Sequence, residues 1–97
     1  MNLKFSLGRV VVTPGAIEAL QDAEQTPDHF LDLHVSGSWG DLGVEDRQAN
    51  ERAIAHEDDP EKRSRVFSAY RTGKNVKLWV ITEHDRSVTT LLLPAEY

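Results

Sequence analysis

Residues 65–94 carry the clearest pattern in the chain, three runs of alternating side chains separated by two turn-like clusters. In the run 65–72, Phe67, Ala69 and Arg71 fall on one face and Val66, Ser68 and Tyr70 on the other, because successive strand side chains point to opposite sides. The run 76–82 sets Val76, Leu78 and Val80 against Lys77, Trp79 and Ile81, and the run 87–93 sets Val88, Thr90 and Leu92 against Thr89, Leu91 and Leu93. β-Branched and aromatic residues dominate all three, as a pleated surface prefers. Gly73 and Asn75 between the first two runs tolerate positive φ, which is hairpin chemistry. Glu83-His84-Asp85-Arg86 interrupts the next two, so the spacing predicts an antiparallel meander. The second run is apolar on both sides and belongs in the middle of the sheet. Pro94 lacks the N–H that a ladder needs and closes the third run.

Upstream, Leu3, Phe5 and Leu7 alternate, Gly8 interrupts, and Arg9-Val10-Val11-Val12 continues. That reads as a strand bent or bulged at Gly8, able to add a fourth strand to the meander. Thr13-Pro14 and Thr26-Pro27 each present an N-cap residue followed by proline at the first helical position. The first predicted helix runs to about Glu24 and buries Ile17 and Leu20. The second carries Phe30, Leu31, Leu33 and His34, with Asp28 favoured by the dipole at its start and Gly37 as its stop. Residues 38–43, rich in glycine, form a loop in which Trp39 is an anchor on the core. Residues 44–56 form a third helix, acidic at its start and thinly apolar, so most of its circumference faces water. The expected architecture is therefore α+β: a three- to four-stranded antiparallel meander with about three short helices packed on one face.

At 97 residues the chain forms one domain, 1–97, with a single modest core. It has no cysteine, which removes disulfides, thiolate zinc sites and a cysteine nucleophile. The N-terminus alternates rather than presenting a long apolar block, so a cytoplasmic protein without a membrane partner is expected. The net charge of −5 is unevenly spread. Residues 21–62 hold twelve acids against Arg47, Arg52 and Lys62, while residues 63–97 hold six bases against Glu83, Asp85 and Glu96. An acidic helical middle joined to a mildly basic sheet bears on partners rather than on fold.

Metal chemistry finds no support. His29 and His34 are five apart, about 140° around a helix, and no metal-ligand motif is present. The glycines at 37, 40 and 43 precede no Lys-Ser/Thr and open no βαβ unit, so they do not cradle phosphate. No serine-hydrolase elbow occurs, and no cofactor is implied. One catalytic constellation merits weighing. Metal-independent endoribonucleases set a histidine or carboxylate and a cation against phosphate on an antiparallel sheet; Arg71, His84 and Arg86, with helix-borne His34, supply those types. That alternative requires the four to meet in one cleft. Outside it, nucleic acid is not an expected ligand, because Tyr70 and Trp79 fall on different face sets and build no stacking platform. The acidic middle offers Asp41, Glu45 and Asp46 to a protein partner of unknown identity, and Trp39 and Asp85 complete the candidate binding residues. Oligomeric state is not legible from the pattern.

Three blocks carry a resemblance: residues 12–20 (Val-Thr-Pro-Gly-Ala-Ile-Glu-Ala-Leu), residues 39–42 (Trp-Gly-Asp-Leu), and Tyr70-Arg71 with residues 79–83 (Trp-Val-Ile-Thr-Glu) and 85–94 (Asp-Arg-Ser-Val-Thr-Thr-Leu-Leu-Leu-Pro). Together they resemble a set of short bacterial proteins carried on plasmids, phages and integrated elements, loosely labelled plasmid-related or as restriction-modification subunits. The chain is too short for a methyltransferase with its S-adenosylmethionine site. The resemblance implies accessory DNA as genomic company and assigns no residue a role. The expected function is a small non-catalytic binding or regulatory protein acting through protein contacts.

Overall fold

A computed structural model describes residues 3–97. In chain order the elements are β1 (Arg9–Val12), α1 (Pro14–Asp22), α2 (Pro27–Val35), α3 (Val44–Ala55), β2 (Val66–Arg71), β3 (Lys77–Thr82) and β4 (Val88–Leu92), followed by a 3-10 turn at Pro94–Glu96. The sheet order is β1-β4-β3-β2, which places β3 inside the sheet as its two apolar faces require. The fold is α+β.

Two hairpins set the antiparallel part. Ala69 lies opposite Trp79 and Tyr70 opposite Leu78 in β2–β3, while Val80 lies opposite Leu91 in β3–β4. Asn75 and Arg86 take the positive φ of 64° and 61° that close the two turns. β1 departs from the expected antiparallel meander: it runs parallel to β4, with Val10 beside Thr89 and Val12 beside Leu91. A hairpin turn forces its strands antiparallel, but β1 reaches β4 only through the whole intervening chain. Alternation reads the same in either direction. The expected extension of this strand back through residues 3–7 is also corrected. Gly8 turns the chain at φ +65°, where a Cβ would come within 2.3 Å of the Arg86 carbonyl oxygen. Before it, residues 3–7 form no strand, and Phe5 is buried with Val35, Trp39, Ala53 and Val66.

The three helices cover the face formed by Val66, Ser68 and Tyr70 of β2, Leu78, Val80 and Thr82 of β3, and Thr89 and Leu91 of β4. Ala16 and Leu20 of α1 and Phe30 and Leu31 of α2 pack there against Tyr70, Leu78, Val80 and Leu91. A second cluster joins Phe5, Val35, Trp39, Ala53 and Val66 beside it. The helix starts obey their sequence signals: Thr13 accepts from the Ala16 N–H with Pro14 following, and Thr26 precedes Pro27. The α2 stop at Gly37 takes φ +91°.

α3 is wet, burying only Asn50 and Ala53, yet Asn50 does a specific job. Its amide donates to the Phe67 carbonyl at 2.6 Å and accepts from the Phe67 N–H at 3.0 Å, standing in for a neighbouring strand. Two residues along, the Ala69 N–H donates to the Trp39 carbonyl at 3.0 Å and the Ala69 carbonyl accepts from Asp41 N–H at 2.7 Å. Gly40 makes this approach possible, since a Cβ there would sit 2.0 Å from the Ala69 oxygen. The outer edge of β2 is thus closed at Phe67 and Ala69, which denies a foreign strand its template over most of the strand.

Candidate functional site

The face of the sheet without helices carries Phe67, Ala69 and Arg71 of β2, Lys77, Trp79 and Ile81 of β3, Thr90 and Leu92 of β4, and Arg9 and Val11 of β1, as the register dictates. Ala69 is the small member of its row and lies directly beside Trp79, so the sheet is hollow there. The hollow, about 360 Å³, is walled by Phe67 and Trp79 and bordered by Arg71, Lys77 and Asp41. Phe67 and Trp79 meet edge to face, with centroids 5.1 Å apart and planes at 88°. The chain after β4 folds back over part of this face, and Tyr97 meets Trp79 edge to face at 5.8 Å. A second hollow of about 290 Å³ opens beyond it, lined by Arg65, Ile81, Glu83, Thr90, Leu92 and Glu96 with Tyr97.

Charge at the first hollow is arranged against the sheet's own interest. Arg71 and Lys77 are direct cross-strand partners, and like charges so placed destabilise a sheet. Asp41 offsets this at 3.5 Å from Arg71, though both side chains are largely in water, and Arg71 also donates to Asn75 Oδ1 at 3.3 Å. Phe67 and Tyr97 join Trp79 on one face, which the sequence reading missed. The alternation placed Phe67 with Ala69, but only the Ala69–Trp79 register puts both runs on the same side.

On the opposite face a polar chain crosses the core. Thr89 Oγ1 donates to the Leu7 carbonyl at 2.7 Å, so the 2.7 Å contact between the two threonine hydroxyls must be donated by Thr82. Thr82 then accepts from His34 Nε2–H at 3.0 Å, which leaves Nδ1 unprotonated to accept from the Ser68 hydroxyl. One acceptor-only carbonyl therefore fixes the tautomer of a histidine three side chains away. Burial, and secondarily the Arg86 charge, lower the His34 pKa to about 3, in keeping with an imidazole that the network needs neutral. The Ser68–His34 pair has the donor order of a nucleophile and its base. Both residues, however, have no exposed surface, and the far side of the imidazole meets a hydroxyl instead of a carboxylate. The chain is a structural tie between α2 and the sheet.

Arg86 is likewise buried. Its guanidinium grips Glu57 with Nε at 3.0 Å and Nη2 at 2.7 Å, while Nη1 donates to the carbonyls of Ser64, Glu83 and His84. It also lies 5.6 Å over the Phe5 ring, and Phe5 meets His34 edge to face at 5.2 Å. Arg86 thus clamps the approach to β2 onto the β3–β4 turn. His84 is exposed on that turn. Arg71 sits opposite Lys77, five residues along β3 from Thr82 and so about 17 Å away. The four residues of the ribonuclease alternative do not meet in one cleft.

The binding candidates also separate. Trp39 is buried, stacking on Phe5 at 6.4 Å and donating Nε1–H to Glu51 at 3.3 Å. Asp41 borders the hollow, Glu45 and Asp46 are exposed in the first turn of α3, and Asp85 is exposed at the far turn. Hydrogen bonds from the Ser87 side chain and backbone hold the Asp85 pKa below its usual value. Models of known families, characterised proteins and solved structures give no match to the chain. Among the described residues no helix is long and apolar enough to cross a membrane, and no three His, Asp or Glu side chains group as metal ligands.

Proposed function

We propose that the protein is a non-catalytic binding or regulatory protein that acts through protein contacts, with the helix-free face of the sheet as its working surface. One observation carries the reading. Half-buried Phe67 and Trp79 with exposed Tyr97, lying over buried Ile81 and Leu92, form an apolar centre surrounded by Arg65, Arg71 and Lys77 mixed with Asp41, Glu83 and Glu96. An apolar middle with a polar border is the anatomy of a protein–protein interface. The mixed signs and the net charge of −5 argue against a polyanion as the occupant. The crowded Arg71–Lys77 pair favours a carboxylate on the partner, which would relieve the repulsion at that spot.

On this reading the protein is cytoplasmic and, from the sequence blocks that resemble proteins of plasmids and phages, a product of accessory DNA. Affinity capture from the host tests the surface. A specific protein partner should be recovered by the native chain and lost, by about tenfold or more, with Lys77→Glu. Glu45→Lys on α3 should leave recovery unchanged. Recovery indifferent to Lys77, or abolished by nuclease treatment, would overturn the reading.

A further inference from the structure

The two rims of the sheet are treated differently. The β2 rim is closed by the Asn50 amide and by the chain at Gly40, whereas the β1 rim has no such cover among the described residues. The Arg9 N–H donates to the Ser87 carbonyl at 2.9 Å and the Thr13 N–H to the Leu91 carbonyl at 3.0 Å. Odd positions of β1 therefore bond inward, and the N–H and C=O groups of Val10 and Val12 point away from the sheet. Apolar side chains gather at this rim: Val10 is 41% exposed, Val11 37%, and Ile17 on the departing helix 44%. No lysine, internal proline or bulge blunts the strand.

We propose that β1 pairs antiparallel with β1 of a second copy, joining two sheets into one continuous eight-stranded sheet. The free groups require even-numbered residues to face even-numbered ones, and keeping both bonded pairs within Arg9–Val12 puts the two-fold axis at Val11. With the two-fold axis at Val11, Val10 and Val12 of one copy exchange both hydrogen bonds with Val12 and Val10 of the other. The two Val11 side chains face each other at roughly 4.5 Å between Cα atoms. Pro14, which has no N–H, comes opposite Gly8 of the second copy and ends the ladder. The same register sets Arg9 opposite Thr13 of the second copy. Thr13 Oγ1 holds the Glu96 carboxylate at 2.6 Å, so each Arg9 meets an anion rather than the other arginine. An axis at Val12 would set Pro14, which has no N–H, opposite Val10, and an axis at Val10 would set Gly8, turned at φ +65°, opposite Val12. The Val11 axis is the one that keeps both bonded pairs inside the strand; an axis between two residues would set outward groups against inward ones. This proposal does not depend on the function proposed for the helix-free face.

Light scattering with size-exclusion chromatography, from about 5 µM to about 500 µM, tests it. The native chain should approach twice 10.9 kDa with rising concentration. Val11→Lys, which sets two cations against each other on the axis, should remain at 10.9 kDa with an unchanged circular dichroism spectrum. Arg9→Glu should weaken association by about tenfold or more, since it faces Glu96 of the second copy. Amide hydrogen exchange of the native chain supplies a readout independent of any variant: Val10 and Val12 should be protected at the high concentration and exchange freely at the low one. A native mass of 10.9 kDa throughout, a Val11→Lys chain that dimerises as the native one does, or unprotected Val10 and Val12 amides at high concentration would each overturn the proposal.

Discussion

His34 makes the stability of this protein depend on pH in a window that can be stated beforehand. The imidazole titrates at about 6.5 when free and at about 3 in the fold. Between those values the unfolded chain takes up a proton that the folded chain refuses, so stability falls as pH falls. The loss begins near 6.5 and is complete below about 3. The slope within the window is about 1.4 kcal/mol per pH unit, and lowering the pH from about 7.5 to about 5 therefore removes roughly 2 kcal/mol. A domain of this length has about 5–15 kcal/mol in total, so the change is large. Urea unfolding followed by the fluorescence of buried Trp39 measures it. With a slope near 1–1.5 kcal/mol per molar urea, the midpoint should drop by about 1.5–2 M. His34→Gln keeps a donor for Thr82 but cannot be protonated. It should start less stable by about 1–3 kcal/mol, because the Ser68 hydroxyl loses its acceptor, and then stay flat between about pH 7.5 and about pH 5. Parallel pH profiles for the two chains would refute the account. So would nitrogen-15 spectra placing the His34 proton on Nδ1, because the hydroxyl chain from Leu7 permits only Nε2.

Arg86→Met should cost about 3–5 kcal/mol, since it strands Glu57 and three backbone carbonyls. Little of that loss should be recovered or masked in 1 M salt, with about 3 Å screening, because the guanidinium is buried; a loss under about 1 kcal/mol would show that the clamp is incidental. Asn50→Ala should cost about 1–3 kcal/mol and accelerate hydrogen exchange at Phe67, whose N–H and C=O then have no partner. Exchange at Phe67 unchanged from the native chain would mean that another group closes the β2 rim.

Much of the fold was legible because it is local. Strand alternation in β2, β3 and β4, the Thr13-Pro14 and Thr26-Pro27 helix starts and the stop at Gly37 depend on residues a few positions apart, and all appear where the pattern placed them. The candidate site was legible only in part. Arg71 and Asp41 do border the hollow, but Trp39 and His34, equally suggestive as residue types, went into the core.

Composition and periodicity alone determined the fold class, the central place of β3 and the acidic, wet character of α3. Tertiary structure decided the rest: that β1 runs parallel to β4, that Phe67 and Tyr97 stand beside Trp79, that Arg86 is a buried clamp rather than a solvated turn residue, and that Asn50 serves as a strand. The reason is sequence distance. Thr89 and Leu7 are 82 positions apart, His34 and Ser68 are 34, and Arg86 and Glu57 are 29. Side-chain periodicity says which face a residue takes, whereas its hydrogen-bond partner is set by how whole elements meet.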